Sequence, residues 1–151
     1  MDETYIKVKG KWHYNYRALD KQGNTVDFLL TAKRDKKAAF RFLTKANGRN
    51  VKPGVINTDK SGANKAGIKA YNKINNKRIE IRQCKYLNNI LEQDHRFIKR
   101  KTKLVLGFKS FYSAQKTLAG IELISMIRKG QQRMTSGDVK SPVEQFYALA
   151  A

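Results

Sequence analysis

The strongest constraint on this chain is a change of hydrophobic period partway along it. Ile6 and Val8 alternate with Lys7 and Lys9, and Gly10 interrupts the run. Trp12, Tyr14, Tyr16 and Ala18 then alternate with Lys11, His13, Asn15 and Arg17, the period-two pattern of a half-buried strand. Asp20-Lys21-Gln22-Gly23-Asn24 has the chemistry of a turn, and Val26 to Leu30 reads as a third strand. Connections this short predict an antiparallel meander. The alternating aromatics read as core residues, with base stacking as the other use open to them.

Beyond Lys33 the period lengthens. Asp35 opens a helix that carries Ala38, Ala39, Phe42 and Leu43 on one side and stops at Gly48. Pro53 to Asp59 reads as a short buried strand running into a polar turn, residues 62–75 as a helix, and Arg78 to Arg82 as a further strand. Helical spacing returns from Tyr86 to Val105 and from Phe111 to Lys129. Asp138 to Pro142 reads as loop, and Val143 to Leu149 as a last short helix. This order predicts a mixed α/β domain around one central sheet. The whole span 1–151 reads as one domain, with 106–151 its carboxy-terminal helical part. Ile121, Ile124 and Ile127 form a packing stripe that a second subunit can share.

Composition narrows the function. A chain of 151 residues can bury about two thirds of its unfolded surface. No apolar run approaches the roughly 20 residues needed to cross a bilayer, and Met1-Asp2-Glu3-Thr4 does not open a signal peptide. The lone Cys84 predicts a reduced, cytoplasmic setting. His13 and His95 lie too far apart to suggest a zinc site, and there is no glycine-rich phosphate loop. Against 12 Asp+Glu stand 32 Lys+Arg, a net charge of +20. An excess of this size predicts a polyanionic partner, and nucleic acid fits best. Residues 60–103 alone carry 13 Lys+Arg and three acids, which is half of the excess.

The acids are few enough to place individually. Asp2 starts the first strand with the parity of Ile6 and Val8, whereas Glu3 has the opposite parity and reads as structural. Asp59 ends the Val55–Ile56 strand. Glu92 lies in the Tyr86–Val105 helix, within a polar stripe of Asn88, Asn89, His95, Arg96 and Lys99. Asp94 points well around that helix and suits solvation or a salt bridge better than a metal. Three carboxylates can serve two Mg²⁺ ions about 4 Å apart, because substrate and water complete the coordination of these hard ions. Spacing alone leaves open that the three are ordinary surface acids.

Three strings carry a resemblance. Met1 to Trp12 resembles the first catalytic segment of bacterial insertion-sequence transposases with an Asp-Asp-Glu active site, specifically the insertion-sequence-six family. Asn57-Thr58-Asp59-Lys60 is similar to their second segment, and Tyr86 to Arg100 is similar to their third. The resemblance extends through Ser141 to Tyr147. It implies an integrase-like catalytic core with a ribonuclease-H-like fold, a meander plus further strands flanked by helices. By position Asp2, Asp59 and Glu92 become the catalytic, metal-binding triad for two Mg²⁺ (or Mn²⁺) ions. Lys99 matches a basic residue that contacts DNA near the cleaved phosphate, with His95, Arg96, Lys60 and Arg100 as further DNA-binding candidates. In such enzymes water first attacks a phosphodiester at an element end, and the freed 3′-hydroxyl then attacks target DNA.

The implied partner is double-stranded DNA, both element ends and target, handled by a homo-oligomer near the bacterial nucleoid. Family members carry a helix-turn-helix region before the first catalytic aspartate, so this chain is expected to be an amino-terminally truncated core. The free α-amino group is expected to add a positive charge beside the metal site, at a chain end prone to fraying. Two other readings stand beside it: a remnant that binds DNA without turnover, and a basic DNA-binding module in which the acids are incidental.

Overall fold

The computed structural model describes residues 1–83, 89–103, 105, 107–131 and 141–150. Strand β1 (Asp2–Val8) and strand β2 (Lys11–Leu19) pair antiparallel, with Asp2 opposite Arg17 and Val8 opposite Lys11. The two-residue turn between them puts Lys9 at φ 47° and Gly10 at φ 75°. Positive φ at both positions suits the right-handed twist of a tight hairpin. In the next turn the Asp20 carboxylate accepts hydrogen bonds from the backbone N–H groups of Gln22 and Asn24. Strand β3 (Thr25–Thr31) then pairs antiparallel with β2, completing the expected meander.

Helix α1 (Lys36–Arg49) begins where Asp35 accepts a hydrogen bond from the Ala38 N–H at 2.8 Å, an N-cap that satisfies one of the first-turn donors. Strand β4 (Val55–Thr58), helix α2 (Gly62–Ile74) and strand β5 (Glu80–Gln83) form a parallel crossover unit. Helix α3 (Asn89–Lys103), helix α4 (Phe111–Arg128) and helix α5 (Pro142–Ala150) follow. The Tyr86 start expected for α3, Cys84, and residues 138–140 of the expected loop lie outside the described residues. Pro142 opens α5 rather than ending a loop, because its fixed φ and missing N–H cost nothing at a first helical position.

One central sheet was expected; the described strands make two hydrogen-bonded ladders, β1-β2-β3 and β4-β5. They meet where the Met1 α-amino group donates to the Asn57 carbonyl at 2.7 Å. The chain start is therefore tied down, and Met1 is buried in the core.

The meander is covered on both faces. Tyr16 and Leu29 pack with Phe42 of α1 and Ile68 of α2, while Ile6, Val8 and Leu30 pack with Ile98 of α3 and Leu118 of α4. The expected alternation along β2 is lost at its centre, where Asn15, Tyr16 and Arg17 are all buried, while Lys11 and Trp12 at its start are exposed. The aromatic stripe is corrected as well. Tyr16 is core, stacked on Phe42 at 5.8 Å, but Trp12 at the far end of the strand is 58% exposed. Ile127 is buried and Ile121 packs on the second cluster, whereas Ile124 is exposed. No helix among the described residues is long and apolar enough to cross a membrane.

Candidate active site

The two ladders bring acids together at one corner. Asp2 and Glu3 open β1, and Asp59 follows the last residue of β4. Asp2, Glu3 and Asp59 each offer a carboxylate oxygen, all within 4.8 Å of one another. Asp2 has the parity of Ile6 and Val8, so it lies on the face that α3 covers. Glu3 lies on the face covered by α1 and α2, with only 1% of its side chain exposed.

A dense set of donors fixes this corner. Asp59 accepts from the Ser61 N–H at 3.0 Å and from Asn64 Nδ2 at 3.1 Å. Asn64, fully buried at the start of α2, also donates to Glu3 at 2.9 Å. Arg34 donates through Nε to Glu3 and through a terminal nitrogen to Asp59 at 3.0 Å. Asp2 accepts only the neighbouring Glu3 N–H at 2.8 Å among these bonds. Burial pushes its carboxyl up to about 6, and the charges of Glu3 and Asp59 add to the rise while that backbone bond opposes it. Burial draws the Met1 α-amino group down to about 6. The charges of Asp2, Asp59 and Glu3 oppose that shift, and the net effect weakens the extra positive charge expected at the site.

Glu3, whose strand parity is opposite to that of Asp2, was expected to be structural alone. Its burial comes from Arg34 and Asn64, 31 and 61 residues away. No pattern local to β1 signals them.

Glu92 is exposed, in the first turn of α3, and does not join the 4.8 Å carboxylate group. The helix that carries it is anchored close to Asp2, however. Arg17 lies opposite Asp2 across the β1–β2 pair and donates to Asp94, two residues beyond Glu92. Arg17 also makes a bidentate pair with Glu122 of α4, at 2.6 and 2.8 Å, and Lys129 reaches Asp94 at 2.8 Å. Burial alone would raise the Asp94 carboxyl, but Lys129 and Arg17 hold it below the usual range. Asp94 is thus a salt-bridge residue, one of the two roles its place on the helix suggested.

The polar stripe on α3 needs one correction. His95 is 6% exposed and shares the buried side of the helix with Leu91 and Ile98. Burial draws its pKa down to about 3, and the Arg17 and Lys99 charges add to the effect. It is a neutral interior imidazole, out of reach of a surface phosphate. Lys60, Arg96, Lys99 and Arg100 are exposed. The side chains of Asn88 and Asn89 lie outside the described residues.

Hard carboxylate oxygens converging at a strand end suit a divalent cation such as Mg²⁺. A family described as "DDE domain" matches residues 1–131. A transposase for insertion sequence-like element IS431mec from Staphylococcus aureus is 40% identical over 135 residues, covering 88% of this chain and 58% of the relative. The transposase for element IS257 in transposon Tn4003, also from Staphylococcus aureus, matches equally, at 40% over 135 residues, with the same 88% and 58% coverage. The chain thus spans a little over half the length of these relatives. In three dimensions it is similar to the catalytic core domain of BIV integrase, with a TM-score of 0.60 at 14% identity, covering 99% of this chain and 93% of that one. The mixed α/β architecture is accordingly the ribonuclease-H-like fold of integrase cores. This chain belongs to the DDE-domain family of insertion-element transposases.

Proposed function

We propose that this chain is the catalytic core of an insertion-element transposase that cleaves and transfers DNA strands using divalent metal. The convergence of Asp2, Glu3 and Asp59 within 4.8 Å carries this reading. Asp2 and Asp59 are the proposed ligands, with Glu92 completing the set from α3. Two Mg²⁺ or Mn²⁺ ions are expected; when bound, they supply Lewis acidity at the phosphodiester oxygens. Glu3 and Asn64 orient the Asp59 side, and Arg17, through Asp94, holds α3 against the start of β1. Exposed Lys60, Arg96, Lys99 and Arg100 contact phosphates of the duplex. The relatives' names support an element-end and target DNA substrate, a homo-oligomeric assembly is expected, and the setting is the bacterial cytoplasm at the nucleoid. Residues 1–151 are proposed to act as one catalytic unit, with 106–151 its helical part.

The test is nicking of supercoiled plasmid by the chain with Mg²⁺ or Mn²⁺, followed by strand transfer from a 3′-hydroxyl end. Nicking is expected to require metal and to vanish in Asp2→Asn, Asp59→Asn and Glu92→Gln while DNA affinity persists. Nicking that survives Glu92→Gln would sink the triad assignment.

One observation favours the second reading, DNA binding without catalysis. The Arg34 guanidinium already bonds both Glu3 and Asp59, so a protein cation can neutralise the cluster by itself. Tight DNA binding with no nicking in any divalent metal, in wild type and in Arg34→Gln alike, would establish that reading.

A further inference from the structure

A groove of about 710 Å³ follows the edge of β1. Side chains from both faces of the strand, Tyr5 and Lys7 on one and Ile6 on the other, reach it, so it lies along the edge and not on a face. On the strand side stands Trp12, 58% exposed, and Tyr5, 47% exposed, their rings meeting edge-on at 6.2 Å. Lys7 Nζ lies 5.9 Å from the Trp12 ring centre. Lys99 and Lys103 of α3 line the groove with them, and among the described residues no acid does. Phe108 closes one end, held by backbone hydrogen bonds to Lys9 at 2.8 Å and Lys7 at 2.9 Å.

This combination has a specific chemistry. Exposed aromatic faces offer stacking area that every nucleobase can use, and the three lysines supply charge for the connecting phosphates. A paired duplex hides its base faces in its own stack, so the aromatics would go unused against it. An acidic peptide would satisfy the lysines but would not need two adjacent exposed rings. We infer that the groove binds an unpaired nucleotide segment, with Trp12 stacking on a base and Lys99 and Lys103 neutralising the phosphates beside it. The groove adjoins the acidic corner: Arg34, which bonds Glu3 and Asp59, also donates to the Tyr5 hydroxyl at 3.5 Å. The inference deepens the proposed function and rests on it for the source of the strand, the unpaired nucleotides flanking a scissile phosphate.

Trp12 is the only tryptophan in the chain, so its fluorescence reports on this groove alone. The experiment titrates the intact protein, without divalent metal and at roughly 50 mM salt, with an oligothymidylate of about eight nucleotides. An abasic oligomer of the same length and a blunt duplex run in parallel, and the anisotropy of a labelled end measures binding independently. Saturable quenching is expected with oligothymidylate and little with the abasic oligomer or the duplex, although both bind. Trp12→Ala and Lys103→Glu should each weaken oligothymidylate binding about tenfold, and Trp12→Phe should retain most of it. Binding without a change in Trp12 emission, equal quenching by the abasic oligomer or the duplex, or unchanged affinity in Trp12→Ala would each overturn the inference. The wild-type titration decides the matter even if Trp12→Ala fails to fold. Because metal is left out, failure here leaves metal-dependent nicking untouched, and failure of nicking leaves the quenching result standing.

Discussion

Arg17 is the perturbation from which most can be learned. Its side chain is fully buried, as is that of its partner Glu122, and Asp94 at the other end of the network is 13% exposed. Replacing Arg17 by Met keeps similar volume but leaves the buried Glu122 without its bidentate donor. Breaking a buried pair in this way costs about 3–5 kcal/mol, whereas replacing both partners by apolar groups is often close to neutral. Asp94 keeps Lys129 at 2.8 Å, so the loss falls mainly on Glu122. With a urea m-value of about 2 kcal/mol/M, Arg17→Met should lower the unfolding midpoint by roughly 1.5–2.5 M. Glu122→Leu alone should also be clearly destabilising, because it removes the bidentate pair and leaves the buried Arg17 with Asp94 alone. The double variant Arg17→Met/Glu122→Leu should recover most of the loss, giving a coupling energy of about 3 kcal/mol or more. Strictly additive effects, or single variants within about 1 kcal/mol of wild type, would refute this account of how β2, α3 and α4 are joined. The consequence reaches the proposed site, since the same network holds the helix that carries Glu92, the proposed third ligand.

Three further outcomes are expected. A Cβ on Gly67 would lie 2.5 Å from Ala39 Cβ where α2 crosses α1, so Gly67→Val should cost about 1–3 kcal/mol by overpacking in the same urea assay. Burial holds folded His95 at about 3, against 6.5 for the free side chain. The unfolded chain then binds the extra proton, so this stabilising contribution is present above pH 6.5 and is lost as pH falls toward 3, by about 2–3 kcal/mol at pH 4.5. Asp2, raised to about 6, acts in the opposite sense: its contribution is full below pH 3.8 and is lost as pH rises through 6. The pH dependence of His95→Leu minus that of wild type therefore isolates the histidine. Finally, protonation of Asp2, a proposed ligand, would compete with metal, so Mn²⁺ affinity should fall about tenfold per unit as pH drops below 6, as read by titration calorimetry.

Local periodicity made much of the fold legible. The alternation in residues 6–18 and the shift to helical spacing after Asp35 correspond to β1, β2 and α1, because each is set by neighbours within a few residues. Whatever depended on distant partners was hidden. Arg17 shares its parity with Lys11 and His13, which read as a solvent face. It is buried because α3 and α4 bring Asp94 and Glu122 over that side of the sheet. Glu3 and His95 are buried for the same reason, by elements far along the chain. Trp12 went the other way, exposed at the hairpin end of the strand. The clustering of Asp2 with Asp59 followed from strand ends, which sequence can locate; the place of Glu3 beside them did not.

The central claim is that the carboxylates at the start of β1 and the end of β4 bind divalent metal. Its most direct test is Mn²⁺ binding to the purified chain at pH 7, counted from the loss of the free-ion paramagnetic resonance signal. The account predicts saturable binding in wild type, weakened at least about tenfold in Asp59→Asn and in Asp2→Asn with the folded structure retained. Equal Mn²⁺ uptake by wild type and Asp59→Asn would contradict it.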